Sequence, residues 1–329
     1  MVIDLLQCFE IQNFAANFHF MTKICFFCGS SFVVKDGHYL GVQRYRCRSC
    51  GKRFINKKRL SSEQLYDEYL HGKQTLSQLS HRHKVSVSTI QRLLRKVRTP
   101  PLVSSQNDVV VLMDATYWNN RFGVLAFKDA HRKCVLWYKF LYRHETVEDY
   151  RIGVNWLEEH HYNILGIVCD GLKGLFRALE RYPVQYCQFH QIKTIQTKLT
   201  KHPESAAGRE LLELAYQLTR TDKESFEGAL QEWWERHHVF MNERSEPSSD
   251  GKTHYLHKRL RSAYLSLKRN SPHLWVWYDH IELNIPNTNN GIESMFTDLK
   301  TKMRVHNGMI NESKERFIKE YFRHLDKGE

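Results

Sequence analysis

Two C-x-x-C pairs, Cys25-Phe-Phe-Cys28 and Cys47-Arg-Ser-Cys50, stand 18 residues apart. Each pair turns the chain tightly enough for both sulfurs to face one ion. Two such turns complete a tetrahedral four-thiolate set, the C-x2-C-x18-C-x2-C spacing expected of zinc. Gly29 and Gly51 follow the pairs, where such a turn needs backbone freedom. A segment this short builds no large core, so bound metal would supply much of its folding free energy. The alternative is a redox-active pair of dithiols. All four positions are thiolates and none is open to water, so the zinc expected at Cys25, Cys28, Cys47 and Cys50 is structural. Cys8, Cys134, Cys169 and Cys187 are scattered in apolar surroundings. This usage fits a reducing cytoplasm, where paired cysteines more often hold metal than form disulfides.

The net charge of +13 is unevenly placed. Residues 23–100 carry 17 Lys and Arg against 4 Asp and Glu, whereas residues 101–329 are nearly balanced. A basic segment of this kind attracts a polyanion, and nucleic acid is the usual one; the bland alternative is a merely soluble basic domain. With 41% hydrophobic residues the chain is not disordered for most of its length. Its longest apolar runs, such as Val109 to Met113, fall far short of the ~20 residues of a membrane helix, so no membrane partner is expected. Residues 1–22 hold Asp4, Glu10 and His19, without the basic start and apolar run of a signal peptide. They read as an extension outside the fold, and Met21 is a second candidate start.

Residues 23–58 form the metal-stapled unit and 59–98 a helical segment. Within the latter, Thr75 to Val97 reads as helix, short turn, helix. Leu76 and Leu79 face inward on the first helix, Val85 fits the turn, and Ile90, Leu93 and Leu94 face inward on the second. Ser86 or Ser88 would cap the second helix. Its outer face offers Ser88, Thr89, Gln91, Arg92, Arg95 and Lys96, residue types that contact base edges and phosphates. The turn lacks the frequent glycine, and an ordinary helical hairpin is the alternative. Residues 99–108, with Pro100 and Pro101 among small polar residues, read as a linker.

From 109 the pattern becomes α/β. Strand candidates are Val109–Met113, Phe122–Phe127, Cys134–Tyr142, Ile164–Cys169 and Val184–Phe189. Helices are expected at Thr146–His161 and Leu172–Arg181. Residues 191–286 are helical in pattern, with helices over Glu210–Thr219, Lys223–His238 and Leu256–Lys268. Two more, Ile292–Met303 and Ser313–Leu325, close the chain. Asp114 and Asp170 end two of the strands, and Glu293 begins a helix after Asn287-Thr-Asn-Asn-Gly291. Three carboxylates from separate elements suit two divalent cations about 4 Å apart, the arrangement for in-line phosphoryl transfer. Oxygen-only ligands favour Mg²⁺ or Mn²⁺. Two aspartates at strand ends often merely begin loops, so the pattern alone is weak.

Asp170-Gly-Leu-Lys-Gly174, followed by Cys187-Gln-Phe-His190, resembles the Mutator-like transposases and their bacterial insertion-sequence relatives, in a zinc-binding variant branch. The resemblance covers about 109–310 and matches Asp114, Asp170 and Glu293 to the family's three acids. It implies a ribonuclease H-like core at 109–190, an all-helical insertion at 191–286, and core C-terminal helices at 287–329 carrying the glutamate. It implies a DNA transposase that binds terminal inverted repeats through residues 23–98. The enzyme would hydrolyse a phosphodiester and drive the freed 3′ hydroxyl into target DNA, as a homodimer or higher assembly on DNA in the nucleoid. A non-catalytic DNA-binding regulator and a structure-specific nuclease of the same fold are the rivals. Cys187 and His190 are read either as a buried cysteine and a hydrogen-bonded histidine or as active-site support, with His190 touching the scissile phosphate or orienting an acid. Trp275 and Trp277 either pack in the insertion or stack on unpaired bases. Lys300, Lys302 and Arg304 either bind phosphates or form a solvated face.

Overall fold

The computed structural model describes residues 23–39, 41–55, 60–70, 72–97, 107–119, 121–247, 251–306 and 308–325. The extension 1–22 and nearly all of the expected linker lie outside these residues. The chain divides into two compact units, Met1–Ser61 and Ser62–Glu329.

In the first unit, strands β1 (Val33–Tyr39), β2 (Val42–Cys47) and β3 (Arg53–Ile55) form an antiparallel sheet in that order. Its apolar core is slight. Cys25, Tyr45 and Cys47 are buried, and Phe26 meets Phe54 edge-on at 5.3 Å. Asp36 takes ion pairs from Arg44 and Arg53 at 3.1 and 2.8 Å. The four thiols close the open end. Gly29 and Gly51, both at φ +71°, each return a backbone N–H to the carbonyl of the first cysteine of their pair.

The second unit begins with α1 (Ser62–Leu70), α2 (Leu76–His83) and α3 (Val87–Leu94). Thr75 and Gln78 form a capping box at the start of α2, and Ser86 caps α3 by accepting from Thr89 N. Leu79, Ile90 and Leu94 are buried as their spacing predicts. Lys84, at φ +52° and ψ +44°, takes the left-handed turn position that a glycine more often fills. These helices are not a free-standing segment. The Tyr69 ring lies 4.1 Å from that of His306 and 5.7 Å from that of Phe317, and His306 Nε2 donates to the Tyr69 carbonyl at 3.1 Å.

The remainder is the expected mixed α/β core: β4 (Asp108–Trp118), β5 (Phe122–Asp129), β6 (Val135–Leu141), α4 (Val147–Glu159), β7 (Asn163–Cys169), α5 (Leu175–Ala178) and β8 (Val184–Tyr186). The sheet order is β6-β5-β4-β7-β8. The first three strands pair antiparallel, while β7 and β8 join in parallel. This is a five-stranded mixed sheet in the element order that the sequence pattern predicts. Val109, Val111 and Met113 of β4 pack with Tyr150, Val154 and Leu157 of α4 on one face. The opposite face is covered by α11 (Asn290–Arg304) and α12 (Asn311–Leu325). There Leu112 lies beneath Gly291, and Tyr138 meets Phe322 at 5.2 Å.

Between them run α6 (Gln188–Leu199), α7 (Ala206–Gln217), α8 (Lys223–Met241), α9 (Lys258–Leu274) and the short α10 (Val276–Asp279). They share their own core, which includes Leu211, Phe226, Trp233, Tyr264 and Trp275. Buried glutamines hold α9 in place, Gln185 from strand β8 and Gln188 and Gln191 from α6. Gln185 and Gln188 both donate to the Leu274 carbonyl at 3.0 Å, and Gln191 donates to Ser266 Oγ at 3.3 Å.

Three of the differences from the sequence reading bear on the site. The strand holding Asp114 does not end there but continues to Trp118, because the antiparallel partner β5 outlasts the parallel one; pairing with β7 stops at Leu112. The helix expected over Leu172–Arg181 is a single turn, Leu175–Ala178. The strand expected through Phe189 stops at Tyr186. There Cys187 stands at the N-cap position of α6, and the apolar period changes from two to the helical stripe Ile192, Ile195, Leu199.

Candidate active site

Strand alternation decides which face each acid sees. Successive side chains point to opposite faces of a sheet, so Asp114 shares the face of Val110 and Leu112, away from the α4 side. On β7 the α4 side holds Ile167 and Cys169. Gly166 is pressed by Ile285 on the opposite face, and Asp170 follows in that phase just beyond the strand end. Glu293 comes to this face in the first turn of α11. The two neighbouring strands at the sheet centre and the helix laid across them therefore bring the three acids to one face of the sheet, although among the described residues their oxygens do not all gather within 4.8 Å of one another.

Burial and like charge act together on these acids. Burial raises the Asp114 carboxyl to about 7, and the charges of Asp170 and Glu293 add to the effect; the Ala115 N–H, 2.8 Å from its Oδ1, opposes it. Asp170 is also raised, first by burial, although the Leu172 N–H and the charge of His190 pull it down. Among the described residues neither aspartate is ion-paired to Lys or Arg. Glu293 Oε1 is buried without a hydrogen-bond partner. Like-charged carboxylates held together with so few donors are suited to divalent cations, whose charge would favour the ionised forms. The donor set, oxygens alone, fits Mg²⁺ or Mn²⁺.

The segment before Glu293 is stitched to both strands. Asn289 Nδ2 donates to the Met113 carbonyl at 2.8 Å, and its backbone N–H donates to Cys187 Sγ at 3.2 Å. Its own carbonyl accepts the Glu293 N–H at 3.1 Å. Gln188 N donates to Asn287 O at 3.0 Å, and Cys187 N donates to Cys169 O at 2.9 Å. The run Asn287-Thr-Asn-Asn is thus a strap that ties β4, β7 and α6 to the start of α11.

Cys187 and His190 sit three residues apart at the start of α6 and so share a face. His190 Nε2 is 3.5 Å from Glu293 Oε1. Burial lowers the imidazole's pKa, while Glu293 and Asp170 oppose that shift. A cavity of about 540 Å³ opens beside it, lined in part by Asp170, Tyr186, His190, Lys173, Lys193 and Lys198. Gly171 has a packing reason: a Cβ there would come within 2.7 Å of the Tyr186 hydroxyl.

The tryptophans are not brought to the acids. Trp275 is fully buried against Phe226, which leaves no face for a base, and Trp277 packs on the same cluster. Lys302 is committed to Asp298 at 2.6 Å and Lys300 lies over Trp118, whereas Arg304 is exposed. On α3 and its C-terminal end, Ser88, Gln91, Arg92, Arg95 and Lys96 are exposed; Thr89 is half-buried with its hydroxyl 3.0 Å from Ser86 Oγ. In the smaller unit the Cys25–Cys50 and Cys28–Cys47 sulfurs are 3.7 and 3.6 Å apart. A tetrahedron with Zn–S bonds of about 2.3 Å has edges of about 3.8 Å, so the four thiols fit one zinc ion. Backbone N–H groups of Cys50 and Ser49 help lower the Cys47 thiol to about 6.

Sequence reasoning missed two site residues. Asn289 was hidden in a polar run that reads as a loop. Glu145 acts by its charge on both Asp114 and Asp170, yet it lies in a connection after β6 that carries no motif. Its hydrogen bonds with Tyr117 hold it there.

No family model matches the sequence, and no curated protein matches it. Among solved structures, the catalytic core domain of BIV integrase is similar over 50% of this chain and 97% of its own, with 15% identity and a TM-score of 0.21. Likeness at that level carries nothing about the chemistry of this chain. No helix among the described residues is long and apolar enough to cross a membrane.

Proposed function

We propose that this chain is a DNA transposase of an insertion sequence. It would bind the element's terminal inverted repeats and perform metal-dependent cleavage and strand transfer. The observation that supports this reading is that Asp114, Asp170 and Glu293 reach one face of the sheet, the aspartates from neighbouring strands and the glutamate from the helix laid across them.

In this reading the three carboxylates hold Mg²⁺ or Mn²⁺, which supplies activation of the attacking water or 3′ hydroxyl and stabilisation of the leaving oxygen. Asn289 fixes the distance between the Glu293 helix and the Asp114 strand. His190 is within reach of Glu293 and orients it or meets a phosphate oxygen. Lys173 and Lys193, at the rim of the cavity beside Asp170, hold backbone phosphates. The four-thiolate unit is a zinc ribbon, and α2–α3 act as a helix-turn-helix that presents Ser88, Gln91, Arg92, Arg95 and Lys96 to DNA. Two DNA ends must be held together, so the working form is a dimer or larger on DNA, acting in the cytoplasm on the nucleoid.

The test is nicking of DNA that carries the element's ends, with Mn²⁺ present, by the full chain and by Asp114→Ala. Nicking that is lost in Asp114→Ala supports the reading. No nicking by the wild type would leave a DNA-binding regulator. Nicking without joined product from precut ends would leave a nuclease.

A further inference from the structure

We propose that Cys187, His190 and Glu293 form a second site for a thiophilic divalent ion of the Zn²⁺ class, separate from the four-thiolate cluster. One ligand atom from each of the three lies within 4.8 Å of the other two. His190 Nε2 and Glu293 Oε1 face each other at 3.5 Å. Two ligands of a tetrahedral ion with bonds of about 2.0–2.1 Å stand about 3.4 Å apart. The thiol sulfur, within 4.8 Å of both, closes in to complete the set. Glu293 Oε1 is buried and accepts no hydrogen bond, so this pair faces itself without satisfying itself.

Cys187 and the start of the Glu293 helix are held in place from behind, while His190 Nδ1 is buried without a hydrogen-bond partner. Cys187 stands at the N-cap position of α6 without a capping bond from its side chain, and its N–H is bound to the Cys169 carbonyl at 2.9 Å. The Asn289 N–H, 3.2 Å from the sulfur, sets the direction of the thiol. The next carbonyl contact, Glu293 N to Asn289 O at 3.1 Å, fixes the start of the Glu293 helix relative to that same residue. Ligands braced by such outer contacts bind metal with less reorganisation. One sulfur, one imidazole nitrogen and one carboxylate oxygen is a donor set for zinc rather than magnesium. The ion would displace the thiol proton to solvent and leave a fourth position open toward the cavity beside His190. The His190 and Glu293 side chains are each 25% exposed, which provides the way in.

Glu293 is common to this site and to the catalytic acids. A zinc ion bound here would therefore compete with the catalytic cations for that carboxylate. That consequence rests on the transposase reading; the binding site does not.

The experiment uses the full chain, equilibrated with excess Zn²⁺ and then freed of unbound metal. Cys187→Ser and His190→Ala should each retain one equivalent of zinc per chain fewer than the wild type, with the Cys25, Cys28, Cys47 and Cys50 set still loaded. With Co²⁺ in place of zinc, Cys187→Ser should show a weaker thiolate-to-cobalt charge-transfer absorbance than the wild type, the remainder coming from the four-thiolate set. Equal zinc content in the wild type and His190→Ala overturns the proposal. His190 is only half-buried, so that variant decides the matter even if Cys187→Ser does not fold. Nicking assays separate the two readings. A chain that takes up the extra equivalent but never cuts DNA keeps the site and loses the transposase. A chain that cuts without the extra equivalent does the reverse. If both hold, zinc added at fixed Mg²⁺ should slow nicking at least tenfold.

Discussion

The side-chain amide of Asn289 donates to the main-chain carbonyl of Met113 across 2.8 Å. One residue later comes Asp114, and the Asn289 carbonyl caps the turn that carries Glu293. A single buried amide therefore spaces two of the three acids. Asn289→Ala should destabilise the chain by about 1–3 kcal/mol, since it leaves a buried carbonyl without its donor. It should also slow metal-dependent nicking by up to ~100-fold, because small displacements of reacting groups are costly. DNA affinity should change little. Nicking within twofold of wild type, measured on folded protein, would show that Asn289 does not position the acids.

Acid stability should depend on Asp149. Burial alone would push this carboxyl up, but Arg143, Lys139 and Thr146 overcome that and hold it well below the usual carboxylate range. The Arg143 and Lys139 contacts are both 2.7 Å. A group whose folded pKa is depressed stabilises the fold above its unfolded pKa, and this contribution is lost as pH falls. Wild-type stability should therefore drop from about pH 5 downward. Asp149→Asn should be less stable at pH 7 by about 1.5–3 kcal/mol, the range for a hydrogen bond to a charged group, and should show a shallower acid limb. Identical acid limbs in chemical denaturation would refute the assignment.

Removing one ligand should undo the smaller unit. Cys47 is fully buried at the junction of β2 and the second cysteine turn, and the apolar contacts around it are few. Cys47→Ala should lose one zinc equivalent per chain and the amide protection of β1–β3, because metal supplies most of the folding energy of such units. Persistent protection of those strands in the variant would show that the sheet stands without the ion.

DNA binding should carry a salt signature. Arg92 is exposed on α3 and makes no ion pair among those found in the described residues. If it contacts a phosphate, Arg92→Ala should reduce the slope of log affinity against log salt by about 0.9. An unchanged slope, with binding still measurable, would remove Arg92 from the phosphate contacts.

Much of this architecture is legible because it repeats. The apolar runs of β4, β5 and β7, the four-cysteine spacing and the inward stripe of α3 each state a period or a ligand count. What is illegible depends on partners far away in the chain. Nothing near Asp114 says that β5 will extend its strand to Trp118. Cys187 reads as strand until the stripe after it shows a helix. Lys84 occupies a left-handed position that its residue type does not announce. Trp275 has two local readings, of which core packing is the weightier, and burial against Phe226 bears that one out. Asn289 and Glu145 have no local signature, since each acts on an aspartate brought near only by the fold.

The buried glutamines have one more implication. Gln185 and Gln188 grip the end of α9 at the Leu274 carbonyl, and Gln185 also accepts the Trp277 N–H at 3.0 Å. From there the chain runs directly into the strap and on to Glu293. The helical bundle is thus geared to the third acid rather than hung beside it. A partner bound on α7–α9 would therefore sit one short connection away from that carboxylate.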